Sequence, residues 1–348
     1  MPRRELSRAQ LLSQFFTHPK IAKKLLGITQ DVLEEHGKNW KDLYFVECAA
    51  GDGSFTDLLP ERRTVGIEVD PVLLKKHPEF LKADLKKGGF LGMSARDLGL
   101  QRIPPEDIVV GFNPPFSIPR LNGRSHNVAM DFVNHAASLA DTVAMILPNT
   151  FRRPATQAKV DKRLHLIYDM DLPANSFTMD GEEAKVTTVF QIWQAQYDKR
   201  GRPILRPEDK MLKLVKGGEW GGDFRFVKST DPRANVRICN WGSHETVGRL
   251  DGPKETKSLV SDNQRKVRQR ERDGKSMKGF EPDNSHYYLV ADDPKKTMKK
   301  FSDRKYLFEE LAQDRTSGNN PDLTVGDMVR IYTSPVGTHY VQGRWISD

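Results

Sequence analysis

The sequence predicts an α/β fold, a mostly parallel sheet covered by helices on both faces, with a separate basic region after it. Three observations predict this. Short apolar runs alternate with helix-period stretches through the first two hundred residues. That rhythm breaks after Tyr197. The excess positive charge lies almost wholly beyond the break.

The elements follow in order. Pro19 to Glu35 sets Ile21, Ala22, Leu25, Leu26, Val32 and Leu33 near one helical face, and Gly37 stops that helix. Leu43 to Val46 is a buried strand by length and composition. Thr64 to Ile67, Ile108 to Phe112 and Val143 to Leu147 read the same way. Helical stretches lie between them, including Asn127 to Leu139, and a helix is expected to start near Ser54. Arg163 to Tyr168 and Val186 to Trp193 are two further strands, suited to an antiparallel edge, with a turn-rich loop from Asp171 to Glu183 between them.

Lys199 to Pro203 reads as a linker, dividing the chain into 1–198 and 199–348. The second part opens with Gly217, Gly218, Gly221 and Gly222, then short β pieces at Phe224 to Val227 and Val236 to Ile238. Its class is mixed α+β or β-rich. Asp262 to Lys278 is highly charged and can bury little, so it is a loop or a solvated helix.

Composition narrows the function. The chain has 348 residues, room for two domains, and 37% are hydrophobic. Residues 200–348 hold 29 basic and 22 acidic side chains, against 26 and 25 in 1–199. A basic module beside a neutral one fits nucleic acid, or simply a lysine-rich solvated surface. Apolar runs such as Val143 to Leu147 are too short for a membrane span, and Met1 to Leu6 lacks the apolar stretch of a secretory signal. Cys48 and Cys239 supply neither a disulfide framework nor a zinc site. The expectation is a metal-independent intracellular protein, cytoplasmic or nuclear and not secreted.

The strand at 43–46 runs into Glu47-Cys48-Ala49-Ala50-Gly51-Asp52-Gly53. Small residues there permit a sharp turn and close approach of a ligand, though a tight turn without a ligand has the same signature. About twenty residues on, a second strand ends in Glu68, and a third acid, Asp84, follows Leu81 to Ala83. Acids at successive strand ends line the crevice where open α/β sheets bind ligands, and each could also cap a helix. Together they suit a nucleoside cofactor without phosphates better than a dinucleotide.

These stretches resemble the cofactor half of S-adenosylmethionine-dependent methyltransferases, and the resemblance spans roughly residues 13–195. It implies a Rossmann-like class I methyltransferase sheet. It also implies a loop of Glu47, Ala49, Gly51 and Gly53 against the methionine portion, Glu68 on the ribose and Asp84 on the adenine. Gln14-Phe15-Phe16-Thr17-His18-Pro19 resembles an element of amino-methyltransferases whose threonine, here Thr17, contacts the cofactor carboxylate; His18 stands where that family usually has proline.

Asn113-Pro114-Pro115-Phe116, at the end of the strand 108–112, resembles the (N/D/S)-P-P-(Y/F) signature of methyltransferases acting on exocyclic or amide nitrogen. The lone pair of an adenine amine is delocalised into its ring. The Asn113 side-chain oxygen and the Pro114 carbonyl can accept its two N–H bonds and draw the nitrogen toward a tetrahedral shape. Pro114 and Pro115 fix the backbone in advance, and Phe116 can stack on the target ring. Neither cysteine follows a proline in the way carbon-5 methylation of cytosine requires, and Asn rather than Ser favours adenine N6 over cytosine N4.

The order of elements is similar to that of DNA adenine-N6 methyltransferases with a C-terminal target-recognition domain. Asp171 to Phe177 before Val189 to Trp193 resembles methyltransferases of phages and large viruses. DNA is the expected acceptor, and RNA adenine the nearest alternative. A protein glutamine-N5 methyltransferase and a non-catalytic nucleic-acid-binding subunit of the same fold are the others. Candidate phosphate contacts are Arg120, Arg124, Arg152, Arg153 and the seven basic residues from Arg265 to Lys278.

Overall fold

The computed structural model describes residues 7, 12, 14–119, 125–207, 222–240, 246–277, 280–283, 285–314, 316–317, 320–321, 323–341 and 344–346. The chain divides into two compact units, one of residues 1–151 and 156–207, the other of 152–155 and 208–348.

The first unit is built on a seven-stranded sheet of β1 (Tyr44–Glu47), β2 (Thr64–Glu68), β3 (Leu81–Lys82), β4 (Ile108–Phe112), β5 (Thr142–Pro148), β6 (Leu164–Asp171) and β7 (Thr188–Ala195). Its order is β3-β2-β1-β4-β5-β7-β6. The pairs from β3 to β5 are parallel, and β7 runs antiparallel to both β5 and β6. The order reverses at β1 and β4, so the crevice beyond their C-terminal ends is the place where such sheets bind ligands.

The strands read as continuous apolar runs because both faces are covered. Phe45, Val109, Ala144 and Ile146 point to one side, where helix α1 (Pro19–Glu35) packs Ala22, Leu25 and Leu33 against them. Val46, Val110, Val143 and Met145 point to the other, against Val133, Ala136 and Ala137 of α3 (Ala129–Leu139), while the short α2 (Pro71–Lys76) connects β2 to β3 in the chain. Gly111, on the buried strand β4, lies so close to β5 that an added Cβ would sit 1.9 Å from the Ala144 carbonyl oxygen.

Several expectations shift by a turn or two. No regular helix starts near Ser54; a 3-10 turn spans Thr56–Leu58. Only sixteen residues separate Glu47 from Thr64, Pro60 intervenes, and the buried Glu47 carboxylate takes the Thr56 N–H at 2.9 Å and its hydroxyl at 2.7 Å. The helix expected from Asn127 begins at Ala129, because Ser125–Asn127 pairs with Ser117–Pro119. The expected loop 171–183 contains the strand Phe177–Met179, which pairs with both Phe16–Thr17 and Glu182–Ala184. Asp180 and Gly181, both at positive φ, make its two-residue turn. The expected linker, Lys199 to Pro203, belongs to the first unit, where Pro203 bridges to Tyr197; just beyond it the Arg206 guanidinium donates to the Gln157 and Val160 carbonyls and lies 5.2 Å from the centre of the Trp193 ring.

The second unit is α+β. Strands β8 (Phe224–Val227), β9 (Val236–Cys239), β10 (Leu250–Asp251) and β11 (His286–Ala291) form an antiparallel sheet in the order β8-β11-β9-β10. Helices α4 (Pro253–Arg272), α5 (Pro294–Ser302), α6 (Lys305–Asp314) and α7 (Val325–Thr333) accompany it. Its own core joins Phe224, Ile238, Leu289, Phe301, Phe308 and Ile331. The charged stretch from Asp262 is thus helical as far as Arg272. Gly217, Gly218 and Gly221 lie outside the described residues.

Candidate active site

A cavity of about 290 Å³ opens at the C-terminal ends of β1, β2 and β4. Thr17, Glu47, Ala49, Gly51, Glu68, Asn113, Pro114 and Pro115 all line it, so residues nearly one hundred positions apart meet at one place.

The loop after β1 is shaped by backbone that only glycine adopts easily. Gly51 and Gly53 have φ of +59° and +85°. A Cβ on Gly51 would touch the Phe16 ring at 3.4 Å, and one on Gly53 would press on the Asp57 carboxylate at 2.9 Å. Gly53 thus shapes the turn from behind and does not line the cavity.

Glu68 fastens this loop to β2. Its carboxylate accepts the Gly51 N–H at 2.8 Å through Oε2, and the Val69 and Asp70 N–H groups at 2.7 and 2.8 Å through Oε1. Burial nevertheless pushes its carboxyl above the usual carboxylate range. Each carboxylate oxygen offers two lone pairs, so Oε2 retains acceptor capacity beyond the Gly51 bond. Burial raises Glu47 further, to about 8, against the opposing pull of its two Thr56 bonds. Cys48 is buried and its thiol is likewise raised, which leaves it a poor nucleophile.

Asn113 is oriented from outside the strand that carries it. Its amide nitrogen donates to the Phe15 carbonyl at 2.6 Å and to the Thr17 hydroxyl at 3.1 Å. Among the described residues its Oδ1 has no hydrogen-bond partner. The expected cofactor contact of Thr17 is therefore joined by a second task, holding Asn113. His18 has a role of its own: its N–H donates to the Ser176 carbonyl at 3.0 Å, a bond proline cannot make. Phe116 lies beside the cavity, stacked on Phe15 with centroids 5.9 Å apart and edge-on to Phe177 at 6.4 Å.

Asp84 departs from its expected place. It is exposed, and its carboxylate accepts the Lys86 N–H at 2.9 Å, capping a 3-10 turn. The cavity wall in this region is made by Leu85, Gly88, Gly89 and Phe90. Sequence reasoning missed that wall, although the Gly88-Gly89 pair was a turn signal; both have positive φ. It also missed Phe15 and Phe177 as a pair framing Phe116, since Phe177 arrives by an antiparallel pairing far along the chain.

The phosphate candidates are sorted by burial. Arg152 is 1% exposed and Arg153 half-buried, so neither presents a free cation. Arg120 and Arg124 lie outside the described residues. Arg265, Lys266, Arg268 and Arg272 are exposed on α4.

No protein-family model matches the chain, and no curated protein matches it. Solved structures do. A "putative RNA methyltransferase" from Pyrococcus horikoshii is 15% identical over 55% of this chain and 91% of its own, with a TM-score of 0.37. A SAM-dependent methyltransferase from Anabaena variabilis is 11% identical over 54% and 91%, with a TM-score of 0.34. The type IIG restriction endonuclease BpuSI is 12% identical over 86% of this chain and 33% of its own, with a TM-score of 0.38. The strand order by itself makes the first unit a Rossmann-like, doubly wound α/β sheet.

Proposed function

We propose that the chain is an S-adenosylmethionine-dependent methyltransferase that modifies the N6 amino group of adenine in DNA. The observation that carries this reading is the state of Asn113. Both donors of its amide are spent on Phe15 and Thr17, which leaves Oδ1 as the acceptor beside the rigid Pro114-Pro115 backbone.

The cavity suits the cofactor. It is small and bounded by Phe16 and Phe90, and among the described residues its lining holds the acidic Glu47 and Glu68 but no lysine or arginine, which disfavours phosphates and leaves a sulfonium nucleoside the better fit. Glu68 would hold the ribose hydroxyls through the spare capacity of Oε2, and the Ala49–Gly51 turn would border the methionine portion. S-adenosylmethionine supplies an electrophilic methyl group when bound.

The chain's own residues supply orientation and charge. Oδ1 of Asn113 and the Pro114 carbonyl accept the two N–H bonds of the target amine and favour its pyramidal, attacking form. They stabilise the positive charge that develops on nitrogen, and being held in advance they cost no reorganisation. Phe116, backed by Phe15 and Phe177, offers a face for the extruded base. The second unit would recognise the target, with exposed basic residues meeting phosphates.

The reading is tested by incubating the protein with labelled methyl donor and, separately, DNA, RNA and a glutamine-bearing peptide. Label in DNA supports it. Label confined to peptide would leave the fold intact and remove the acceptor assignment.

A further inference from the structure

The second unit contains a long helix whose two sides differ sharply. The inner side of α4 buries Thr256, Val260 and Asn263. Asn263 donates to the Ser229 carbonyl at 3.2 Å and to the Tyr288 hydroxyl at 3.0 Å, and Gln264 donates to the Thr230 carbonyl at 2.9 Å. These bonds fix the rotation of the helix on its sheet.

Opposite that side lie Lys254, Lys257, Arg265, Arg268 and Arg272, all exposed. At 100° per residue they fall within a strip roughly 80° wide, and at 1.5 Å per residue they extend over about 27 Å. The acids of the helix stand off this strip, with Glu255 and Asp262 on one flank and Glu271 on the other. Arg265 pairs with Asp262, and among the described residues the side chains of Lys254, Lys257, Arg268 and Arg272 have no ion-pair or hydrogen-bond partner. A mean hydropathy of −0.62 and many surface lysines would produce scattered charge. A single-sign row held in register by buried amides on the reverse side is a different arrangement, suited to a regularly charged linear polyanion.

We propose that this outer row of α4 is a docking surface for the phosphate backbone of duplex DNA. The inference rests on the nucleic-acid reading above and gives it a location. An α-helix about 10–12 Å across matches the ~12 Å major groove of B-form DNA, with flanking phosphates within reach of long basic side chains. The deep, narrow major groove of A-form RNA does not admit such a helix.

The test is binding of the full-length protein to a labelled DNA duplex, followed by anisotropy between 50 and 200 mM salt. In one variant Lys254, Lys257, Arg268 and Arg272 are all changed to Gln. In a control of equal charge change, Lys295, Lys296, Lys299 and Lys305 of α5 and α6 are changed to Gln. At about 0.9 counterions per phosphate contact, the α4 variant should lose roughly 3–4 from the slope of log affinity against log salt. Its salt-induced fall in affinity over that range should shrink by about 10²-fold, while the control keeps the wild-type slope. Ser261→Glu, a single exposed change within the same row, should weaken binding without touching the buried side. A wild-type slope in both α4 variants, with steep binding by the unaltered protein, would overturn the row and leave the methyltransferase reading standing. Equal dependence of duplex RNA on the row would overturn the choice of DNA. Absence of any polynucleotide binding by the unaltered protein would overturn both the row and the acceptor reading.

Discussion

Replacing Glu68 by glutamine exchanges one carboxylate oxygen for an NH₂ group and leaves the side chain the same size. In this site that exchange cannot be accommodated. Oε1 accepts two backbone N–H groups, from Val69 and Asp70, and Oε2 accepts a third from Gly51. The amide's oxygen can serve one side only, and the better placement keeps the pair from Val69 and Asp70. Its NH₂ then faces the Gly51 N–H, donor against donor, in a partly buried loop. An unpaired buried N–H costs about 1–3 kcal/mol, offset only in part by removing a charge that burial disfavours. Glu68→Gln should therefore lower unfolding stability by about that amount in urea melts. It should also weaken S-adenosylmethionine binding by about 1–3 kcal/mol, roughly 5–150-fold in Kd, because the Gly51 turn and the ribose acceptor change together. Calorimetry reads the second effect. Unchanged stability together with unchanged affinity would refute the claim that this carboxylate fastens the cofactor loop.

Asn113→Ala should reduce turnover by about 10²–10³, with a much smaller effect on cofactor affinity, in single-turnover assays with saturating donor. Phe116→Ala should damage both target binding and turnover, since stacking is worth roughly 1–3 kcal/mol per base; anisotropy and kinetics together check this. Glu47 has a folded pKa near 8 against an ordinary value of 4.5, so the folded state holds the extra proton between them. The stabilisation is full below about 4.5 and is lost as pH rises through 8; Glu47→Gln should flatten that decline in melts taken from pH 5 to 9. The same group should make the cationic donor bind better, relative to its neutral thioether product, as pH rises through 8. Gly111→Ala should destabilise by about 3 kcal/mol or more, seen as a lowered Tm, because its Cβ would overlap the Ala144 carbonyl of the neighbouring strand.

The parallel core was legible because its strands are short, apolar and uncovered by ambiguity: Ile108–Phe112 has the bounds its composition indicates. Helix α1 was equally plain, with its apolar face, Pro19 at its start and Gly37 after it. The cavity was legible wherever its lining comes from a strand end, as with Glu68 and Asn113. It was not legible where long-range pairing decides. The Phe177–Met179 strand has too few residues for a periodic signal, yet it brings Phe177 to Phe116 and sets Thr17 beside Asn113. Asp84 shows the opposite error, since a carboxylate after a strand satisfies a local N–H as readily as a ligand. Arg152 shows another, because a sequence cannot distinguish a buried guanidinium from an exposed one.

The most direct measurement is nucleoside mass spectrometry of DNA incubated with S-adenosylmethionine and either the unaltered protein or Asn113→Ala. N6-methyladenine is expected from the first and, at equal donor occupancy, a yield lowered by about 10²–10³ from the second. N4-methylcytosine in its place, or N6-methyladenine formed at the same rate by both proteins, would contradict it.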